Sequence, residues 1–213
     1  MAQSGTQWAQ APPMNQITSQ PTIHQPADDH PGLLSHLLAR WPSVAGALAL
    51  LANVQGGLDS HITAFIVILA SMCYLAAAAL GSRRSAWVMV GVAALAVVIA
   101  RLTGLDPTVM LLIAGVGFAA FGFVRPRQVD RREVGIQTLA FIVFSAIGLT
   151  AMVASPVLAV LLAAGAAIGH GIWDVVHLVR DKVVARTLAE ACLVLDLGLG
   201  IALLVITLPL MAS

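Results

Sequence analysis

The chain has 213 residues, of which 59% are hydrophobic and 10% charged, and its formal net charge is +1. Soluble domains carry about 25% charged residues, so this composition, with a mean hydropathy of +0.93, excludes an ordinary soluble domain and indicates an integral membrane protein. The net charge is close to neutral, and the sequence has no run of basic residues of the kind that nucleic-acid binding requires. We therefore expect membrane lipids as partners, and no nucleic acid.

The first 31 residues differ in composition from the rest of the chain. Residues 1–31 are rich in Gln, Pro, Ser and Thr and poor in apolar side chains. Such a segment buries too little apolar surface to offset the conformational entropy lost on ordering. We predict a disordered Gln/Pro-rich tail over 1–31 and a transmembrane helical domain over 32–213.

Six later segments are apolar for about the 20 residues that a helix needs to cross a bilayer. These predicted spans are 60–81, 85–103, 107–124, 134–153, 156–178 and 187–211. The earlier segment 33–56 is interrupted by Arg40 and Pro42, so it is either a seventh span or a helix lying along the interface. The predicted fold class is all-α: a polytopic transmembrane bundle of seven helices, or of six plus one interfacial helix.

Small residues within these segments predict close helix packing. Gly165 and Gly169 have the GxxxG spacing, and small side chains let neighbouring backbones approach each other in a membrane. The pairs are Gly165 with Gly169, Ala167 with Gly171, and Gly198 with Gly200.

The basic residues predict an orientation. Of the 11 Lys and Arg residues, a seven-span arrangement leaves only Arg101 at one end of the bundle. Basic loops face the cytoplasm in most membrane proteins. We predict a multi-pass protein of the cell (plasma) membrane with a cytoplasmic N-terminus and an outside C-terminus.

Ionisable side chains interrupt the last two predicted spans. His170, Asp174 and His177 lie in GHGIWDVVHLVR, and Glu190 and Asp196 lie in TLAEACLVLDLGLG. A charged side chain at the centre of a bilayer costs about 2.5–3.5 kcal/mol on insertion scales. Intramembrane ionisable residues are typical of functional sites, and we expect the site of this protein here.

The spacing of these residues predicts which of them meet. His170, Asp174 and His177 follow i, i+4, i+7 spacing and share one helix face. Asp196 lies as far beyond the connecting loop as His170 lies before it, so both are expected at the same depth. Glu190 is four residues after Arg186 and is predicted to form a surface ion pair with it.

We interpret this set first as a metal site. His170, Asp174 and His177 are the predicted ligands of a divalent ion such as zinc, iron or manganese, and Asp196 is a further ligand or a general base. Cys192 is another candidate ligand. An open coordination position would let such an ion activate water against a lipid bond. The predicted function is that of a small membrane protein with a cytoplasm-facing intramembrane His/Asp site that binds metal. Lipid modification is one activity that such a site would support, and whether the protein is an enzyme stays open.

Two alternatives remain at this point. Buried Asp and His also relay protons, which would fit a proton-coupled carrier of a small solute. The same residues would otherwise join two helices in a non-catalytic subunit or scaffold. The outer halves of the last two spans are almost purely apolar, which favours a one-sided site over a path across the membrane. The substrate and the oligomeric state stay open.

Overall fold

The computed structural model describes residues 40–125 and 129–211, with side chains as far as residue 207. These ranges contain seven α-helices and no β-strand, which confirms the predicted all-α bundle. The helices are α1 (Trp41–Gln55), α2 (Ser60–Leu80), α3 (Ser85–Thr103), α4 (Pro107–Val124), α5 (Arg131–Val153), α6 (Pro156–Arg180) and α7 (Arg186–Met211). The predicted tail over 1–31 lies outside the described residues, and its disorder stays a prediction.

Local capping sets where several helices begin. Asp59 accepts from the backbone N–H of Ile62 at 2.9 Å, and Asp106 accepts from that of Thr108 at 2.7 Å. Asp130 caps α5 in the same way, through the N–H of Arg132 at 2.9 Å. A short acidic side chain satisfies the donors that the first turn of a helix leaves free. Because Asp130 supplies this cap, α5 begins at Arg131, three residues before the hydropathy-based estimate of 134.

Six helices, α2 to α7, are long and apolar enough to cross a membrane. The seventh, α1, has 15 residues and a length of about 22 Å, against about 30 Å for the hydrocarbon core. It lies along α7: a Cβ at Gly46 would collide with the Ala191 carbonyl, and one at Gly198 with Leu50. The described part of the segment 33–56 therefore runs parallel to a spanning helix. Residues 33–39 lie outside the described ranges.

Helix α2 forms the centre of the bundle. In its most apolar stretch 78% of the residues are buried, against 17% in α3. Helices α3 to α7 all pack against it. Its last turns contain Ala76, Ala77, Ala78 and Ala79, all buried, and such small side chains let several helices approach one axis. The side chain of Tyr74 consequently points into the middle of the protein, where it is 1% exposed.

Ion pairs tie the loops together at one end of the bundle. Arg83 lies 2.7 Å from Asp181, which joins the α2–α3 loop to the end of α6. Arg180 lies 2.6 Å from Glu133, which joins the end of α6 to the start of α5. We call this end, where α1, α3, α5 and α7 begin, the basic end. Its described basic residues are Arg40, Arg83, Arg84, Arg125, Arg131, Arg132, Arg180, Lys182 and Arg186.

Candidate functional site

Three ionisable side chains meet between α6 and α7. His170 and Asp174 of α6 and Asp196 of α7 are each 0% exposed. The Nδ1 atom of His170 lies 2.8 Å from Oδ2 of Asp196 and 3.6 Å from Oδ2 of Asp174. We call His170, Asp174 and Asp196 the polar cluster. The 2.8 Å contact confirms the predicted equal depth of His170 and Asp196 on neighbouring helices.

Close packing of α6 on α7 brings the cluster together. A Cβ at Gly171 would lie 2.8 Å from the side chain of Leu197, and a Cβ at Gly200 would lie 2.9 Å from the carbonyl oxygen of Ala164. Hydrogen atoms in place of side chains at these two positions let the helix axes approach each other. His170 therefore reaches Asp196 directly.

Tyr74 is a member of the site that the sequence analysis did not identify. Its hydroxyl donates to Oδ1 of Asp174 at 2.5 Å, and its ring lies edge-on to that of His170, with centroids 5.3 Å apart. It is the one tyrosine of the chain. A buried tyrosine hydroxyl needs a hydrogen-bond partner. A tyrosine inside an apolar span is therefore the sequence feature that could have identified Tyr74 as a site residue.

Each member of the polar cluster keeps one buried atom without a hydrogen-bond partner among the described residues. These atoms are Nε2 of His170, Oδ2 of Asp174 and Oδ1 of Asp196. A buried polar atom left unpaired costs about 1–3 kcal/mol. One ligand-type atom from each of the three residues lies within 4.8 Å of the others. An imidazole nitrogen with carboxylate oxygens is a donor set that suits zinc, iron or manganese.

His177 belongs to a different hydrogen-bond set. Its Nδ1 lies 2.9 Å from the carbonyl oxygen of Trp173, and its Nε2 lies 2.8 Å from Nε2 of Gln137. A carbonyl only accepts, so Nδ1 carries the proton and Nε2 accepts from the Gln137 amide. The Gln137 oxygen in turn accepts from the Trp173 indole at 3.3 Å. Both ring nitrogens of His177 are thus engaged, and the structure does not bring it to the polar cluster. Its assignment as a ligand stays a prediction.

Glu190 has different partners from those expected. It accepts a hydrogen bond from Ser43 and lies 3.7 Å from Arg40, so the predicted pair with Arg186 is wrong. The reason is the packing of α1 on α7, which presents two polar groups to Glu190. Cys192 is partly buried and has its thiol free, and it is not a member of the group of converging ligand atoms.

Comparison of the chain with protein-family models, with curated proteins and with solved structures finds no match. Fold and site together define a class: a helical protein with six apolar, membrane-length helices and a buried His/Asp cluster between the last two.

Proposed function

We propose that the polar cluster binds a divalent cation, namely zinc, iron or manganese, and that the protein uses this ion to modify a membrane lipid. The observation that carries the proposal is the approach of three ligand atoms within 4.8 Å, with an unpartnered oxygen on each carboxylate. Two ligands bound tetrahedrally at about 2.1 Å lie about 3.4 Å apart. The 3.6 Å separation of His170 Nδ1 from Asp174 Oδ2 is close to that value. The shorter 2.8 Å contact of Nδ1 with Asp196 Oδ2 is a hydrogen bond, which metal binding at Nδ1 would replace.

Charge balance also favours a divalent ion. Two ionised carboxylates beside a neutral imidazole would place two negative charges in the membrane interior, and buried charges without compensation cost several kcal/mol each. A doubly charged cation cancels both. The Tyr74 hydroxyl holds Asp174 in place through Oδ1, as outer hydrogen bonds do for metal ligands in other proteins.

The ion would supply Lewis acidity at a site reached from one side of the membrane. Hydrogen-bonding and ionisable side chains continue from the cluster towards the basic end, through Gln137, His177 and Glu133. The apolar halves of α6 and α7 extend in the other direction. We propose that the basic end faces the cytoplasm, so that water reaches the cluster from that side while lipid approaches from the bilayer.

The first test is the metal content of protein purified without chelators. We expect near-stoichiometric zinc, iron or manganese in the wild type and its loss in His170→Ala and Asp196→Asn. The matched control is His61→Ala, since His61 lies at the opposite end of α2 from the cluster. Circular dichroism and gel filtration check that each variant is folded. A wild type that takes up none of the three ions on reconstitution would refute the proposal.

The variant His177→Ala decides between two ligand sets in the same assay. The contacts of His177 with Trp173 and Gln137 lead us to expect that this variant keeps its metal. Loss of the ion with retention of the fold would instead support the set predicted from spacing, His170, Asp174 and His177.

Proton relay is the second candidate, and one observation favours it. Hydrogen-bonded polar groups occupy successive turns of α5 and α6 between the basic end and the cluster, from the Glu133–Arg180 pair through Gln137 and His177 to Asp174. A relay needs such a series of exchangeable groups. Proton flux into liposomes that is supported by metal-free protein and abolished in Glu133→Gln would favour this function over metal catalysis.

A further inference from the structure

A second space in the protein adjoins the polar cluster from the bilayer side. A cavity of about 180 Å³ lies between α1, α2, α3 and α7, and we call it the lateral cavity. Its walls are almost entirely apolar and include Ala49, Ile66, Leu69, Val90, Leu188 and Leu195. All four helices contribute residues from their membrane-embedded parts, so hydrocarbon rather than water surrounds this region.

Among the described residues, the packing of the helices leaves the lateral cavity open to the side. Helix α1 packs on α7, and α3 packs on α2 and α4. Across the described residues α1 and α3 share no extensive packing; the rings of Trp41 and Trp87 meet near the basic end, with centroids 5.2 Å apart. The gap between these two helices leads from the bilayer into the cavity. The molecules that reach it are therefore those of the membrane itself.

The inner wall of the lateral cavity is polar. Tyr74 and Asp196 line it, and these are the residues that hold Asp174 and His170. A molecule in the cavity would therefore contact apolar side chains along most of its length. At one point it would contact the Asp196 carboxylate and the Tyr74 phenol. This combination matches a long apolar chain that carries one polar linkage.

We infer that the lateral cavity receives the fatty-acyl chain of a membrane lipid. The chain enters between α1 and α3, and its polar linkage comes to lie beside Asp196. Placement of that linkage at the metal rests on the proposed function, whereas occupancy of the cavity by the chain does not. The inference thereby names the substrate class of the candidate site as an acyl lipid.

Photo-crosslinking in proteoliposomes tests the inference. The probe is phosphatidylcholine with a diazirine midway along one acyl chain, and labelled positions are read by peptide mass spectrometry. We expect labels on Ala70 and Cys73, which line the cavity and are 7% and 1% exposed. A chain that only coats the outside of the bundle does not reach these two residues.

Filling the cavity supplies the matched comparison. Ala49→Phe places a ring in the lateral cavity and should abolish labelling of Ala70 and Cys73. Ala52→Phe adds the same ring to an exposed position of the same helix and should leave the labelling unchanged. Ala70→Leu, read at Cys73, is the second filling variant if Ala49→Phe does not fold.

Two results would overturn the inference. One is labelling confined to residues exposed on the outside of the bundle, such as Leu95 and Ile113. That result would mean that protein covers the cavity, as a second copy or as the segment before Arg40. The other is undiminished labelling of Cys73 in both filling variants. Metal analysis of the same samples separates the two proposals: labelled but metal-free protein supports the acyl-chain site and refutes the metal centre. Metal-loaded protein without cavity labels does the reverse.

Discussion

The hydroxyl of Tyr74 makes the one hydrogen bond that, among the described residues, links the central helix α2 to the polar cluster. It occupies Oδ1 of Asp174 and leaves Oδ2 without a partner. The carboxylate is thereby held in one orientation, with its second oxygen turned away from the phenol. Tyr74 is thus a positioning residue for Asp174.

Removal of the Tyr74 hydroxyl should lower the stability of the protein. Tyr74→Phe keeps the ring but leaves Oδ1 of Asp174 unpaired, and we expect a loss of about 1–2 kcal/mol in the free energy of unfolding. Thermal unfolding in detergent should show this as a lower midpoint, and the affinity for the metal should fall as well. Ser71→Ala is the control, because Ser71 donates only to the Ile68 carbonyl of its own helix. Equal midpoints for Tyr74→Phe and wild type would contradict the positioning role.

At the scale of single residues, the sequence predicted the three members of the polar cluster but not the hydrogen-bond partners that lie outside it on other helices. His170, Asp174 and Asp196 stood out because ionisable groups are costly in hydrocarbon. His177 shares their helix face, but a helix face contacts more than one neighbour: His170 turns to Asp196 on α7, and His177 turns to Gln137 on α5. Spacing along one helix does not determine which neighbour each residue meets. Tyr74 and Gln137 were missed because their partners come from helix packing.

At the scale of elements, the contact of α6 with α7 controls the site. Hydropathy predicted the six long helices closely, since membrane thickness sets their length. It did not determine which small residues face a neighbour. Gly165 and Gly169 have the spacing of a packing motif, yet Gly165 has nothing within 4 Å of a Cβ position, whereas Gly171 meets Leu197. Rotation of each helix about its axis depends on all its neighbours together.

These two glycines form a matched pair on one helix. Gly171→Val would overlap Leu197, whose side-chain atoms lie 2.8 Å from the Cβ position, and we expect a loss of about 1–3 kcal/mol from overpacking. Gly165→Val makes the same change in helix propensity without the overlap and should leave the stability nearly unchanged. Unfolding in detergent measures both, and metal content should fall in Gly171→Val alone. Equal effects of the two substitutions would argue against tight packing at Gly171.

On the scale of the whole molecule, the charges are divided unequally between the two ends. The basic end holds all but one of the described Lys and Arg residues, the exception being Arg101 near the end of α3. The ion pairs of Arg83 with Asp181 and of Arg180 with Glu133 lie at this same end. Partly exposed pairs of this kind contribute about 0–1 kcal/mol each, so their basic members matter more for orientation than for stability.

Cysteine labelling checks the orientation. In a background with Cys73→Ala and Cys192→Ala, we expect Gln55→Cys to react with an impermeant maleimide in intact cells. Ser82→Cys should react only after the membrane is permeabilised, because basic loops stay in the cytoplasm. Both positions are exposed, so access to the reagent depends on the side of the membrane. The reverse pattern would place the basic end outside.

The pairing of His170 with Asp196 across the α6–α7 turn has a consequence for the way the chain enters the membrane. Asp174 finds Tyr74 on a helix that is synthesised earlier, but the partner of His170 lies 26 residues downstream. On its own α6 would carry His170 into hydrocarbon with only the longer 3.6 Å contact to Asp174 of the same helix, and a charged group there costs about 2.5–3.5 kcal/mol. The hairpin of α6 and α7 is the smallest unit in which His170 has its hydrogen bond to Asp196. We therefore expect α6 to integrate stably only once α7 has been synthesised.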